Sequence, residues 1–308
     1  MSEALDFDGE RFTPESVREI WYEHMHRYAF ASRLVGGLDV LDAACGEGYG
    51  AAILARQARS VTAVDRSVDA IAHAGQRYVM PNLEFREADC CALPFEADRF
   101  DCIVSFETIE HLADQEGMVS EFKRVLKPTG FLLISSPDKA EYSDAQGFDN
   151  PHHVRELYAD EFADLLLGAF PHIRLLGQKL LFHSAIWPLQ DVEESPGKGI
   201  STCLQNSDGE VPREHARPVQ RPMYLLALCA SSLDALPPTD HRLWLFDDAA
   251  ESVYRHYQHE IRKNMQAGAI LAERDAELAR AREALSSAAS HSPPRRSWLS
   301  KIGLFRRG

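Results

Sequence analysis

The sequence predicts an α/β fold, a doubly wound and mostly parallel sheet of seven strands with an N-terminal helical lid and a long C-terminal helix. Between residues 40 and 135, short apolar or β-branched runs alternate with helical patterns, and the links between them are short. A glycine-rich stretch directly follows the first of these runs. Alternating strands and helices with short links form a parallel sheet that helices cover on both faces. The 308 residues are sufficient for one such domain and an appendage.

Five strands and four helices are expected in the first half of the chain. Helix 14–35 starts at Pro14, a residue that favours the first turn, and stops at Gly36 and Gly37. Ser67 is suited to cap the N-terminus of a later helix. The predicted strands cover residues 40–41, 60–64, 83–87, 100–106 and 131–135, and the remaining helices cover 49–58, 67–78 and 115–126.

The second half supplies one more helix, at 158–169, and the last two strands, at 173–181 and 223–230. Residues 191–221 are rich in Glu, Ser, Gly and Pro, a composition that predicts a mobile insertion. A Pro-Pro pair at 237–238 indicates a boundary. The predicted parts are a lid at 1–35, the α/β domain at 36–235, a helical extension at 236–288 and a basic, disordered tail at 289–308.

The net charge and the cysteine pattern exclude several classes of function. The chain has 33 Lys and Arg against 47 Asp and Glu, a net charge of −14 that opposes nucleic-acid binding. No apolar run approaches the roughly 20 residues that a membrane span needs, and the acidic N-terminus lacks the features of a secretory signal. The 6 cysteines form no C-x-x-C pair, which favours a cytoplasmic protein and offers no structural zinc site.

The stretch from residue 40 to residue 50 has the pattern of a strand, a tight loop and the start of a helix. Glycine is needed where the backbone takes a positive φ or passes close to a ligand. Gly46, Gly48 and Ala51 fit a G-x-G-x-x-A dinucleotide pattern, and Asp65 ends the next strand. A carboxylate in that place accepts hydrogen bonds from ribose hydroxyls, which NAD and S-adenosylmethionine both have. The loop alone leaves both cofactors open.

Two further carboxylates favour S-adenosylmethionine over NAD. Asp42 lies in the approach to the loop, where a carboxylate suits a cationic amino-acid ligand and opposes a pyrophosphate. Asp89 ends the third strand, in a position to accept a hydrogen bond from an adenine amino group. Each has a structural alternative, since Asp42 is also suited to bracing the loop and Asp89 to forming a turn.

The order of the motifs makes the sequence similar to the class I S-adenosylmethionine-dependent methyltransferases. These motifs are the loop at 40–50, Leu93-Pro94-Phe95, the segment 100–112 and the segment 124–130 before the fifth strand. Ala44 and Thr129 depart from the family pattern, in which glycine is commoner at both positions. The resemblance implies the family's Rossmann-like fold, S-adenosylmethionine as the cofactor and the transfer of its methyl group.

The resemblance places the cofactor site at the strand ends and on the lid helix. It implies that Arg27 binds the cofactor's carboxylate, a task suited to a guanidinium, and the alternative is a surface salt bridge with Glu23. Phe106 lines the methyl pocket or belongs to the core, and Glu107 and Glu110 are interpreted as a solvated helix face. The expected cofactor-binding residues are Arg27, Tyr28, Asp42, Ala44, Cys45, Gly46, Gly48, Asp65, Arg66, Asp89, Cys90 and Phe106.

The segments 23–28, 136–144 and 150–157 are similar to a bacterial subgroup associated with surface-polysaccharide synthesis. This resemblance implies that the methyl acceptor is a sugar hydroxyl of a surface glycan or its precursor. The alternatives are a quinone-like or natural-product acceptor and, from other classes, an NAD-binding oxidoreductase or a non-catalytic scaffold that keeps the fold. A hydroxyl acceptor benefits from a base of near-neutral pKa, so His111 and His153 are the candidate bases. No metal site is expected.

The C-terminal extension predicts contacts beyond the α/β domain. Leu271, Leu278 and Leu285 recur every seven residues in the helical pattern 248–288, as in a short coiled coil. We therefore expect two copies to pair through it, and the alternative is a helix that folds back on its own domain. Residues 295–307 mix basic and apolar side chains, which suits weak contact with an anionic membrane surface. The expected location is the cytoplasm, in part at the inner face of the membrane.

Overall fold

The structure is a computed structural model, and it describes residues 19–181, 202–204, 213–215, 218, 220–238 and 243–290. The helices are α1 (Glu19–Ser32), α2 (Tyr49–Ala55), α3 (Val68–Arg77), α4 (Gln115–Val125), α5 (Ala159–Leu167) and α6 (Ser252–Ser290). The strands are β1 (Asp39–Ala43), β2 (Ser60–Asp65), β3 (Leu83–Glu87), β4 (Phe100–Ser105), β5 (Leu126–Pro137), β6 (His172–Gln178), β7 (Thr202–Leu204), β8 (Arg213–His215) and β9 (Tyr224–Ala230). Short 3₁₀- or π-helical turns lie at Ile109–His111, Ala140–Asp144 and Leu233–Ala235.

Seven strands form one sheet in the order β3-β2-β1-β4-β5-β9-β6. Strand β9 runs antiparallel to β5 and to β6, and the other neighbours are parallel. The predicted seven-stranded, mostly parallel sheet is therefore confirmed. The strand order reverses between β1 and β4, and open α/β sheets bind ligands at the carboxyl ends of the strands at such a point.

Strand β5 is longer than the predicted 131–135. It begins at Leu126, directly where α4 ends, and its pairing with β4 is irregular. Phe100 lies opposite Leu126, whereas Cys102 lies opposite Phe131, so the intervening residues of β5 form a bulge. Pro128 and Gly130, which follow the predicted helix and cannot easily continue it, therefore lie in an extended, bulged segment rather than in a separate loop.

The sheet separates two hydrophobic cores, one on each face. Val40 and Cys102 belong to one cluster of buried side chains, and Leu41 and Ile103 belong to the other. Successive side chains of a strand point to opposite faces, so neighbouring residues of β1 and β4 serve different cores. Because both faces are covered, apolar residues follow one another in these strands, as in Val40-Leu41 and Cys102-Ile103-Val104.

The chain separates into two compact units, residues 1–248 and 249–308. Within the first unit, the segment that precedes the division packs on α1. Trp244 lies edge-on to Phe30 with ring centroids 4.9 Å apart, and Phe246 stacks on His26 at 5.4 Å. Tyr22 donates a hydrogen bond to Asp247 at 3.0 Å. These contacts tie the lid helix to a part of the chain that follows the last strand of the sheet.

The second unit contains α6, which continues as one helix through Gly268. The side chains of Leu271, Leu278 and Leu285 are 63%, 50% and 70% exposed. The pairing of two copies through these leucines stays a prediction. The predicted basic tail lies outside the described residues from residue 291 onward. Most of the predicted insertion at 191–221 also lies outside them, and two of its described segments form the β7–β8 pair. Among the described helices, none is both long enough and apolar enough to cross a membrane.

Candidate active site

The loop between β1 and α2 contains left-handed backbone at three positions. The φ angle is 61° at Ala44, 53° at Gly46 and 82° at Gly48. A Cβ atom on Gly48 would lie 2.6 Å from the ring of Phe85, so both conformation and space require glycine there. Ala44 takes a left-handed conformation that disfavours a side chain by about 1 to 2 kcal/mol. The departure from glycine at Ala44 therefore does not prevent this backbone conformation.

Asp65, the last residue of β2, fixes this loop. Its Oδ2 atom accepts a hydrogen bond from the backbone N–H of Gly46 at 2.9 Å, and its Oδ1 atom accepts one from Ser67, also at 2.9 Å. A carboxylate has about four acceptor positions, so both oxygens retain capacity for further donors. Asp65 is half-buried and the neighbouring Arg66 is exposed. The carboxylate is therefore suited to accept from a pair of adjacent hydroxyls.

Asp42 lies in β1 with no exposed surface, and the hydroxyl of Tyr28 donates a hydrogen bond to its Oδ1 atom at 3.1 Å. The pKa of Asp42 is raised to about 7, chiefly by burial and in smaller part by the nearby carboxylate of Asp65, while the hydrogen bond from Tyr28 lowers it. The free protein thus holds Asp42 close to its titration midpoint at neutral pH. A cationic group bound beside it would favour the ionised form.

The stability of the free protein is expected to fall as the pH rises from 5 to 8, in part because of Asp42. The group has a pKa near 3.8 when unfolded and about 7 when folded. The folded state therefore binds more protons in this window, and stability decreases with rising pH. The contribution is about 2 to 3 kcal/mol from that difference. Chemical denaturation of the wild type and of Asp42→Asn at pH 5 and pH 8 measures this contribution. If the free energy of unfolding changes equally with pH in both proteins, the raised pKa of Asp42 is contradicted.

Three aromatic rings, those of Tyr28, Tyr49 and Phe106, lie together where the lid helix meets the start of α2. The ring of Tyr28 lies 5.0 Å from Phe106 and 5.3 Å from Tyr49, edge-on in both cases. A Cβ atom on Gly50 would fall 2.0 Å from the Tyr28 ring, so glycine lets the lid helix lie directly on α2. Tyr28 and Phe106 are 5% and 7% exposed. The arrangement places apolar faces around the carboxyl ends of β1 and β4 and limits the access of water.

Asp89 and Cys90 directly follow β3. The Oδ1 atom of Asp89 accepts a hydrogen bond from the backbone N–H of Cys91 at 2.8 Å, and its carbonyl accepts one from Ala92 at 3.0 Å. This is the turn role that the sequence left open as an alternative. Cys90 is buried, and burial raises the pKa of its thiol to about 12. Cys45, in the glycine loop, is also buried, and burial raises its pKa as well. Both thiols are therefore neutral at pH 7.

Arg27 is 1% exposed, so a surface salt bridge does not describe it. Its Nη1 atom donates to Oε1 of Gln178 at 2.9 Å and lies 3.8 Å from Oε1 of Glu107, and its guanidinium covers the ring of Tyr224 at 4.8 Å. The Nε and Nη2 atoms are buried and have no hydrogen-bond partner among the described residues. Buried donors are nearly always paired, so two donors of this guanidinium are left for a ligand.

The interpretation of Glu107 and Glu110 as a solvated helix face is wrong. The side chain of Glu107 is 14% exposed and that of Glu110 is 1% exposed. Oε1 of Glu107 accepts a hydrogen bond from the Ser135 hydroxyl at 2.6 Å. The chain from Val154 to Arg155 covers Glu110, whose carbonyl accepts from both backbone N–H groups at 2.8 and 3.0 Å. Burial, and then the charge of Glu107, raises the pKa of Glu110 well above its usual range.

The structure brings the two predicted bases together. The rings of His111 and His153 lie 5.0 Å apart, edge-on. Nδ1 of His111 is 3.0 Å from the carbonyl of His152, so Nδ1 carries the proton and Nε2 the lone pair. Nδ1 of His153 is 2.5 Å from Oε1 of Glu156, and its Nε2 is 3.0 Å from the amide nitrogen of Asn150. Since Oδ1 of Asn150 accepts from the His152 N–H at 3.1 Å, the amide donates to His153.

The sequence predicted no metal constellation, but the structure contains a group of three metal-ligating side chains. One ligand atom each of Glu110, His111 and His153 lies within 4.8 Å of the others. Sequence reasoning missed this group because Glu110 was assigned to the surface and His153 comes from a distant loop. Glu107, Gln178 and Tyr224 around Arg27 were missed for the same reason.

A cavity of about 520 Å³ opens beside His153. Most of its lining is polar or charged, with one exposed aromatic ring. The residues concerned include Lys139, Ser143, Asp144, Phe148, Arg155 and Glu156. The cavity therefore offers both hydrogen-bond donors and acceptors next to His153.

Comparisons with known proteins show that the chain is similar to methyltransferases. The family model of a methyltransferase domain matches residues 41–134. A probable S-adenosylmethionine-dependent methyltransferase of Mycobacterium tuberculosis is 38% identical over 201 residues, which are 64% of this chain and 71% of that protein. The ubiquinone biosynthesis O-methyltransferase of Methylocella silvestris is 30% identical over 122 residues, 39% of this chain and 47% of that protein. A solved structure that is similar to this chain is that of phosphoethanolamine N-methyltransferase 2 of Haemonchus contortus in complex with S-adenosylmethionine. The two are 22% identical with a TM-score of 0.41, and the match covers 50% of this chain and 38% of that protein.

Proposed function

Since the chain belongs to the S-adenosylmethionine-dependent methyltransferases, we propose that it methylates a sugar hydroxyl of a surface glycan or of the precursor of such a glycan. The observation that supports this acceptor is the polar cavity that opens beside His153, next to His111. Sugars carry many hydroxyls, and a cavity lined by donors and acceptors suits them better than it suits an apolar ring. The alternatives of an NAD-binding oxidoreductase and a non-catalytic scaffold are set aside because of the family.

The residues at the strand ends fit the cofactor of this family. Asp65 offers acceptors to the two ribose hydroxyls, and Asp42 offers a negative charge to the amino-acid end. The two unpaired donors of Arg27 suit the cofactor's carboxylate, because a guanidinium binds a carboxylate through two parallel hydrogen bonds. When bound, S-adenosylmethionine supplies a methyl group on a positively charged sulfur that is ready for in-line displacement.

The protein's own contribution is alignment, exclusion of water and the removal of a proton. Tyr28 and Phe106 present aromatic faces, which stabilise a nearby cation and keep water out. Alignment of two reactants alone removes a large part of the barrier. Nε2 of His111 carries the lone pair and is suited to accept the proton of the acceptor hydroxyl. His153 stacks on Tyr142 with ring centroids 5.3 Å apart and is held by Glu156 and Asn150. These contacts fix His153 in place as part of the lining of the acceptor cavity.

A methyl-labelled cofactor tests the acceptor class. The protein is incubated with S-adenosylmethionine that carries an isotopic label in its methyl group, together with hexose acceptors in one reaction and a catechol-type quinol in another. The expected product is a labelled methyl ether of a sugar hydroxyl, identified by mass spectrometry and NMR. Label found on the quinol and not on the sugars would favour the quinone-like alternative, which the ubiquinone-pathway relative supports.

A further inference from the structure

Glu110, His111 and His153 form a compact group at the carboxyl edge of the sheet. Ligand atoms of the three lie within 4.8 Å of one another, and Nε2 of His111 is 3.8 Å from Oε1 of Glu110. Two imidazoles and one carboxylate are the donor set of many catalytic zinc and non-haem iron sites. Two of the three come from the turn after β4, and His153 comes from the chain that crosses above it.

Both histidines are oriented as metal ligands usually are. A ligating histidine donates its other ring N–H to a carbonyl or a carboxylate, which fixes the tautomer and turns the remaining nitrogen toward the metal. Nδ1 of His111 lies 3.0 Å from the His152 carbonyl, and Nδ1 of His153 lies 2.5 Å from the carboxylate of Glu156. Each Nε2 atom therefore carries a lone pair. That of His153 accepts from Asn150, whose amide would have to move aside.

Buried carboxyl groups outnumber buried guanidinium groups in this region. The side chains of Glu107, Glu110 and Glu156 are 14%, 1% and 8% exposed. Arg27 lies 3.8 Å from Glu107 and offsets one of these charges. Oε2 of Glu110 is buried and has no hydrogen-bond partner among the described residues. An unpaired buried carboxylate oxygen is costly, and a divalent cation would satisfy it.

We propose that Glu110, His111 and His153 bind one divalent transition-metal cation of the zinc, cobalt or manganese class. Tetrahedral ligands of zinc lie about 3.3 Å apart, so the distances between the ligand atoms need to shrink by at most about 1.5 Å from their present limit of 4.8 Å. Three protein ligands leave a coordination position open for water or an acceptor hydroxyl. The inference goes beyond the proposed function, since binding of the cation requires neither the cofactor nor an acceptor.

The cation would change the role of the histidines in the proposed reaction. Nε2 of His111 then ligates the cation and does not accept a proton. An acceptor hydroxyl in the open position is acidified by the cation and loses its proton to water. Its oxygen forms the new bond to the methyl carbon as the bond from that carbon to sulfur breaks. This consequence rests on the proposed function, whereas the binding of the cation does not.

Cobalt(II) is the probe, because its visible absorption reports on nitrogen ligation. The full chain is treated with a chelator, dialysed and titrated with cobalt chloride in the absence of S-adenosylmethionine. One equivalent is expected to bind with visible bands that zinc chloride removes by competition. His111→Ala and Glu110→Gln should each weaken binding at least tenfold, and Glu156→Gln should weaken it about 10- to 100-fold.

His152→Ala is the matched control, because it removes a neighbouring imidazole and keeps the carbonyl that orients His111. It should bind cobalt as the wild type does. Circular dichroism checks that each variant is folded, and the wild-type titration decides the proposal even if a variant is not. Absence of stoichiometric binding by the wild type overturns the cation site. Calorimetry with S-adenosylmethionine on the same preparation tests the methyltransferase function separately.

Discussion

His111→Ala is expected to lower the rate of methyl transfer by about 10²- to 10⁴-fold, the usual loss for a missing general base. The affinity for S-adenosylmethionine should not change, because Arg27, Asp42 and Asp65, which are proposed to bind it, lie on the lid helix, on β1 and on β2. The geometry gives the physical reason: the His152 carbonyl holds the proton on Nδ1, so Nε2 is the basic atom. A rate loss of this size is expected both for a base and for a cation ligand, and the cobalt titration separates the two roles.

Single-turnover kinetics with saturating cofactor measures this effect apart from binding. His152→Ala serves again as the control and should react at close to the wild-type rate. A His111→Ala protein that transfers methyl groups as fast as His152→Ala would mean that alignment alone accounts for catalysis. His153→Ala is expected to slow the reaction as well, since His153 lines the acceptor cavity.

Arg27→Leu is expected to lower the free energy of unfolding by about 3 to 5 kcal/mol, which is the usual cost of removing one partner of a buried ion pair. The change leaves Glu107 without its guanidinium partner and Gln178 without the donor to its Oε1 atom. It also removes the cation that lies on the Tyr224 ring. Loss of the two free donors should weaken S-adenosylmethionine binding in addition.

Urea denaturation of the free protein measures the stability term. Arg33→Leu is the matched control, because Arg33 is exposed just after α1 and its replacement should change stability by no more than about 0.5 kcal/mol. Equal destabilisation by the two substitutions would show that Arg27 is not part of a buried network.

The strands were predictable from local sequence, as were the positions in the fold of the residues proposed to bind the cofactor, because each signal lies within a few residues. Ser67 caps α3 and accepts from the N–H of Ala70 at 3.2 Å, as predicted. Asp65 lies at the end of β2 because the β-branched run before it ends there. The alternation of strands and helices was sufficient to predict the parallel sheet.

The acceptor end was not predictable, because its contacts join segments that are far apart in sequence. Glu110 was interpreted as part of an exposed helix face, but residues 154 and 155, which are far from it in sequence, donate hydrogen bonds to its carbonyl. Arg27 is buried by Gln178 and Tyr224, which come from the last two strands of the sheet. A local sequence pattern does not predict contacts between distant segments. Glu107 and Glu110, which are charged and follow a strand, were therefore assigned to the surface.

The claim at the centre of this account is that the carboxyl ends of β1 and β2 hold S-adenosylmethionine through Asp65. Calorimetric titration of the cofactor into Asp65→Ala tests it most directly, with Asp69→Ala on the exposed first turn of α3 as the control. Hydrogen bonds to a charged group contribute about 1.5 to 3 kcal/mol each, so affinity should fall at least tenfold in Asp65→Ala and remain unchanged in Asp69→Ala. Wild-type affinity in a folded Asp65→Ala protein would contradict the account.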